Sequence, residues 1–376
     1  MRPKRVAIIG LDGMYLDLLK KIIEAGSMPF LDEQLKDGLY GTLKSTVPPY
    51  TPPAWTSIST GVTPAKHGIY GFFKKHNFEP KIVSARDVKY PRIWEMLAMN
   101  KLNSIVVNLP LLLPFNSMYL GPKDVIIPGW DIPRKTIFPA SLAKQKDLLQ
   151  LLEYPHKWWD ARTYNSQEEY ISIVLSVLKR KIFTLEKLIR RRQWALLFVV
   201  FSETDWIFHK VPQLHTTNKL DEMPNSDKIL EVFSIIDTFI ATVHDLSDIT
   251  VICSDHGFGS FDKTLYLNVL LNRLGYLSIR KYHKGPLRRL INSRIFNMVN
   301  FTIIRSIIKG NLKARLKRAG LSREPLHFEE SIAYSPEEFS IFVRKNEYIP
   351  TIKRICLLYT SPSPRDLSTS RMPSSA

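Results

Sequence analysis

Residues 5–14 read RVAIIGLDGM, a short apolar run rich in β-branched residues that stops at an acid and a glycine. The run is too short for a core helix and reads as a strand, with Asp12 at its carboxyl end. Three more runs have the same character: Ser104 to Asn108, Ala195 to Phe201 and Asp248 to Cys253. Between them lie helical patterns. Tyr15 to Ala25 and Pro29 to Lys36 follow the first strand, Glu168 to Leu188 precedes the third, and Ser226 to Val243 separates the third from the fourth. Strands alternating with helices predict an α/β fold, its mostly parallel sheet covered on both faces. There is no internal repeat.

Two segments fit that core poorly. Pro110 to Asp160 is rich in proline and aromatics, including Trp130, Trp158 and Trp159, and reads as loops and short elements lying over the sheet. Thr264 to Gly320 holds thirteen Lys or Arg and no Asp or Glu, the densest part of a net charge of +18. Within it Arg305, Lys309, Lys313 and Lys317 recur every four residues, as do Ile304, Ile308, Leu312 and Leu316. One helix would carry both rows, weakened at Gly310. Such a helix either packs on the core by its apolar row, covers the active site, or rests on an anionic membrane surface. Leu357 to Ala376 reads LLYTSPSPRDLSTSRMPSSA, has no periodicity, and is expected to be disordered. That string resembles translated sequencing-adapter read-through, so the natural C-terminus is expected to be missing.

The basic start followed by Val6 to Leu11 is too short for a secretory leader and lacks a small-residue cleavage site. No apolar run reaches the about 18 residues of a membrane span. Cys253 and Cys356 make no disulfide framework. A cytoplasmic location is expected, peripheral to a membrane if the basic segment docks there. Nucleic acid is not an expected partner.

Three acids sit where predicted strands end: Asp12, Asp205 and Asp255. Open α/β sheets bind ligands beyond the carboxyl ends of their strands. Carboxylates converging there repel one another unless cations join them. Asp205 and His209 are four apart in DWIFH, so on a helix they share a face. Asp255 and His256 are adjacent in SDHG. Both can reach one ion only if the strand has ended and turned, which Gly257 and Gly259 permit. Each piece alone is weak, since a lone Asp-His pair is commonly a surface contact and SDHG commonly a turn. At successive strand ends they favour metal binding. Mixed nitrogen and oxygen ligands suit zinc, with manganese as the alternative. The nucleophile candidate is Thr51, in VPPYTPPAWTSISTG. Ala54 to Thr60 reads as a short helix whose N-terminus, with free N–H groups, would hold a phosphate near the Thr51 hydroxyl. The plainer reading is a proline-rich turn with an N-capping threonine.

At these residues the chain resembles the alkaline phosphatase superfamily, and within it the type I phosphodiesterase and nucleotide pyrophosphatase branch. The match runs from Arg5 to about Arg354. Its strongest parts are GLDGM at Gly10 to Met14, TPPAWTSISTGVTPAKHGI at Thr51 to Ile69, ETDWIFH at Glu203 to His209 and SDHGFG at Ser254 to Gly259. The resemblance implies a three-layer α/β/α sandwich with a mostly parallel central sheet. One hydrolase domain, 1–355, would carry inserted cap segments at about 110–160 and 264–325, followed by a tail at 356–376. It also implies two divalent ions, zinc by preference. One would be held by Asp12, Thr51, Asp255 and His256, the other by Asp205, His209 and a third histidine. Thr51 would attack phosphorus and form a phospho-threonine intermediate, which water then hydrolyses.

Two departures bear on this. The third histidine follows the Asp-His pair by about a hundred residues in the family, in a Gly-x-His-like context that neither His283 nor His327 has. The chain as written is then expected to bind its second metal poorly and to be inactive. A phosphate-orienting Asn is replaced by Phe72, which favours a general phosphodiester over a nucleotide. Thr51 argues against a sulfatase, whose nucleophile derives from Cys or Ser. The expected activity is hydrolysis of a small-molecule or lipid-headgroup phosphodiester. The alternatives are a phosphomonoesterase, a phosphonate hydrolase, or a non-catalytic protein binding anions or a membrane surface.

Overall fold

The structure is a computed structural model that describes residues 3–116, 118–129, 136–155, 164–217, 219–259, 265–278, 330–337 and 340–360. Its strands in chain order are β1 (Val6–Leu11), β2 (Phe73–His76), β3 (Glu79–Ile82), β4 (Ser104–Val107), β5 (Val125–Ile127), β6 (Leu196–Phe201), β7 (Ile249–Cys253), β8 (Ala333–Glu337) and β9 (Ser340–Val343). The early helices are α1 (Leu16–Glu24), α2 (Pro29–Asp37), α3 (Thr51–Thr60), α4 (Pro64–His67), α5 (Ile93–Met99) and α6 (Lys146–Leu149). Next come α7 (Gln167–Arg191), α8 (Glu203–Lys210), α9 (Gln213–Thr216) and α10 (Ser226–Leu246). The last are α11 (Leu267–Arg273) and α12 (Ile349–Thr360). No helix among the described residues is long and apolar enough to cross a membrane.

Five strands form a parallel sheet in the order β5-β4-β6-β1-β7. The four predicted strands are β1, β4, β6 and β7. Along β6, Leu197, Val199 and Phe201 enter one apolar cluster with α1, α2, α7 and α10, while Leu196, Phe198 and Val200 enter another with Trp55 of α3 and Trp94 of α5. This period of two, buried on both sides, makes the three layers. At the β7 edge the covering is incomplete among the described residues, where Ile249 and Val251 are 47% and 42% exposed.

The expected boundaries change in three places. The stretch read as loops over the sheet supplies β5, whose three residues are all buried and pair with β4. A three-residue strand is below the length at which periodicity registers. Leu142, Leu148 and Leu151 of the same stretch join the main core. Trp130, Trp158 and Trp159 lie outside the described residues, as does the predicted basic helix around 304–317. Helix α3 starts at Thr51, not Ala54, because the Ala54 N–H already bonds the Tyr50 carbonyl. At the other end α12 runs through Thr360, past the expected start of a disordered tail.

The chain divides into two compact units. The first, Met1–Lys74 and Lys81–Lys263, holds the sheet and every candidate site residue. The second, Lys75–Pro80 and Thr264–Ala376, has its own small apolar cluster of Phe78, Leu271, Leu277, Ala333, Tyr334 and Ile352.

Gly10 decides how closely α3 approaches the sheet. A Cβ there would overlap the Trp55 indole and crowd Val200. Trp55 lies one helical turn after Thr51, so its seat on β1 sets the position of that hydroxyl. Gly10→Ala is expected to lower stability by about 1–3 kcal/mol, as overpacking does. Urea denaturation of the variant beside the wild type measures this.

Candidate active site

β1 is flanked by β6 and β7, so three strand ends meet at one edge of the sheet. Asp12 follows β1, Asp205 sits in the first turn of α8 after β6, and Asp255 follows β7. Asp12 and Asp255 are 2% exposed and Asp205 is 9% exposed. Gly13 makes the approach possible. Its φ of 71° suits glycine, its N–H donates to Asp255 Oδ1 at 3.2 Å, and a side chain there would press on Asp205 Oδ1.

His256 Nε2 lies 3.6 Å from Asp12 Oδ1, 3.3 Å from Asp255 Oδ2 and 3.0 Å from the Thr51 hydroxyl. Because β7 has ended at Cys253, Asp255 and His256 can turn to the same point. His256 Nδ1 is 2.8 Å from the Gly257 carbonyl, which can only accept, so Nδ1 carries the proton and Nε2 offers a lone pair. Thr51 therefore donates to Nε2. It caps nothing: the N-cap position belongs to Tyr50, without a side-chain cap bond. The helix start offers fewer amides than the sequence suggests. Pro52 and Pro53 have no N–H and Ala54 is already bonded, so Thr51 alone keeps a free amide position there.

Asp12 Oδ1 and Asp255 Oδ2 are buried with no hydrogen-bond donor among the described residues. These are the same two oxygens that face His256. Together with Nε2 they lie within 4.8 Å of one another. Two orphaned anionic oxygens and a deprotonated imidazole nitrogen suit one divalent cation. Burial raises the pKa of Asp12. It raises those of Asp205 and Asp255 further, where the negative charge of Asp12 adds to it. A cation would reverse that cost and hold the acids ionised.

Asp205 and His209 form a second pair, with Oδ2 to Nε2 at 3.5 Å along α8. Burial pushes the His209 pKa down to about 4, which leaves its ring neutral. A third ligand is not present beside this pair among the described residues. His215 is close, yet its Nε2 faces the Phe208 carbonyl at 3.3 Å and its Nδ1 the Tyr15 hydroxyl at 3.2 Å, so both nitrogens are occupied. His283 and His327 lie outside the described residues. Phe72 meets Tyr50 edge to face at 5.3 Å. The first turn of α8 is held from behind by a buried ion pair, Lys181 to Glu203 at 2.5 Å.

Three residues escape the sequence reading. Asn108 and Ser202 stand behind Asp12. His67, part of the quoted AKHGI stretch, ties α3 to the turn after α4. The Ile69 N–H donates to His67 Nδ1 at 3.1 Å, so Nε2 holds the proton and donates to Ser57 at 2.9 Å. Burial, with the nearby Arg92 charge adding to it, pushes this histidine from 6.5 to about 4. Its folded pKa is depressed, so the unfolded chain binds the proton first. The stability tied to a neutral His67 is present above pH 6.5 and is lost as pH falls toward 4. Melting temperatures taken from pH 8 to pH 4.5 should fall faster for the wild type than for His67→Gln.

Residues 6–322 match the family described as type I phosphodiesterase / nucleotide pyrophosphatase. Among solved structures, a phosphonoacetate hydrolase from Sinorhizobium meliloti 1021 in complex with phosphonoformate superposes with a TM-score of 0.52. It is 18% identical, over 76% of this chain and 66% of its own. The same enzyme with phosphonoacetate gives 0.49 at the same identity and coverage. At this identity the likeness is one of fold. The chain spans just under two thirds of that hydrolase's length.

Proposed function

We propose, from the premise that this chain belongs to the type I phosphodiesterase / nucleotide pyrophosphatase family, that it hydrolyses phosphodiesters with Thr51 as nucleophile. The observation that supports this most is the meeting of the Thr51 hydroxyl, His256 Nε2 and the two orphaned carboxylate oxygens of Asp12 and Asp255. Asp12, Thr51, Asp255 and His256 would hold one divalent cation, zinc by ligand type. Asp205 and His209 would contribute to a second. A cation so held supplies Lewis-acid polarisation of the phosphoryl oxygen and lowers the pKa of a nearby hydroxyl.

The residues perform the rest. Thr51, fixed by the Trp55 seat on β1, presents Oγ toward phosphorus. Its proton faces His256 Nε2 at 3.0 Å. As the Thr51 O–P bond forms, the ester P–O bond breaks, and the alcohol leaves with the electron pair and gains a proton. Water then displaces the threonine oxygen from phosphorus and restores the hydroxyl. The free Thr51 amide and the α3 dipole favour the developing charge.

Phe72 stands where the family carries an amide side chain that would serve a phosphoryl oxygen, and its ring meets Tyr50 instead. A monoester dianion, with three oxygens to satisfy, is served worse than a diester with two. With Zn2+ added, the full chain should release nitrophenol in a first-turnover burst faster from bis(p-nitrophenyl) phosphate than from p-nitrophenyl phosphate, and a chelator should stop it. A faster reaction on phosphonoacetate than on either ester would move the reading to phosphonate hydrolysis. That is the second reading, favoured by the ligands of the structural neighbour.

A further inference from the structure

We propose that Asn108 is a positioning residue that acts through Ser202 to set the direction in which Asp12 presents its free carboxylate oxygen; this rests on the cation reading above. Asn108 follows β4 directly, is 3% exposed, and has a φ of 64°. Asparagine is among the few side chains that adopt this left-handed backbone readily. Its backbone N–H bonds the Ile127 carbonyl at 2.9 Å, which pins the turn.

The side-chain bonds have a readable direction. Asn108 Nδ2 is 2.7 Å from the Val200 carbonyl, which only accepts, so the amide nitrogen must lie on that side. The same nitrogen is 3.2 Å from Ser202 Oγ. The Tyr154 hydroxyl, which shares its one proton with the Pro128 carbonyl at 3.1 Å, lies 3.3 Å from the opposite end, Asn108 Oδ1. Ser202 thus accepts from Asn108, and its own proton is left for Asp12 Oδ2 at 3.4 Å. That contact is long for a hydroxyl and carboxylate. It has room to shorten once charge gathers on Asp12.

The consequence falls on the other oxygen. With Oδ2 turned to Ser202, Asp12 Oδ1 is the atom that faces His256 and lacks a donor. The Asp12 backbone is held separately, since Thr204 Oγ1 donates to its carbonyl at 2.6 Å. Loss of the relay should therefore leave the chain path intact and loosen the carboxylate, which keeps its Asp255 and Trp55 neighbours. A hydrogen-bonded partner behind a metal ligand commonly changes cation affinity roughly 10–100-fold.

The test titrates the full chain with Co2+, whose visible absorption reports ligand geometry, while melting temperature checks folding. Asn108→Gly tolerates the positive φ and deletes the amide; Ser202→Ala deletes the hydroxyl. Each should weaken Co2+ binding roughly tenfold or more and shift the absorption band. The double variant should be no weaker than the worse single one, because both remove one relay. Binding within twofold of wild type in Ser202→Ala, or losses that multiply in the double variant, would overturn the proposal. If Asn108→Gly fails to fold, Ser202→Ala alone decides. A wild type that binds no Co2+ would instead sink the cation reading itself.

Discussion

Thr51→Ala should abolish phosphodiester cleavage, with a fall in rate of roughly a thousandfold or more, while Co2+ and Zn2+ still bind. The separation is possible because Thr51 is only one of the four residues that would hold the cation, and the two orphaned oxygens belong to Asp12 and Asp255. The variant keeps Asp12, Asp255 and His256 as cation ligands, and loses the hydroxyl that bonds phosphorus. The wild type should show a burst of nitrophenol with bis(p-nitrophenyl) phosphate, and intact mass should show a nitrophenyl-phosphoryl adduct that peptide mapping places on Thr51. A burst does not require turnover. It therefore remains diagnostic even if Asp205 and His209 hold their cation weakly. An adduct of undiminished size in Thr51→Ala would remove threonine from the chemistry.

Asp255→Asn is expected to act in opposite directions on the two states of the protein. Without cations, Asp12, Asp205 and Asp255 are buried together; Asp12 raises the cost of ionising Asp255, and both raise that of Asp205. A folded pKa above the usual carboxylate value means that the stability tied to the protonated form is complete at low pH. It is lost as pH rises through the raised value. At neutral pH the cation-free fold is therefore held back by these acids. Asparagine removes one charge and offers an N–H to Asp12, so the cation-free variant should be more stable by about 1–2 kcal/mol. The wild type should gain about 2.7 kcal/mol from Zn2+ at a hundred times its Kd, and the variant should lose most of that gain along with activity. Calorimetric melting of both proteins, with Zn2+ and with chelator, gives the four values. A variant that melts lower than the wild type in chelator would contradict the charge argument.

The sequence by itself determined the strands β1, β4, β6 and β7, the acids at three of their ends, and the helical spacing of Asp205 and His209. These are local features. An apolar run with a period of two, or two ligands four apart, is encoded within a few residues of chain and survives whatever lies around it. The tertiary structure decided what meets what. Thr51 and His256 are 205 positions apart, and only the order β6-β1-β7 brings them within 3.0 Å. It also placed the buried three-residue β5, too short to carry a period, and started α3 at Thr51 by giving the Ala54 amide to Tyr50. The direction of the Asp12 carboxylate depends on Ser202 and Asn108, and the neutral state of His67 on complete burial. None of these has a local signature, because hydrogen-bond direction and desolvation belong to the packed neighbourhood of a side chain rather than to its place in the sequence.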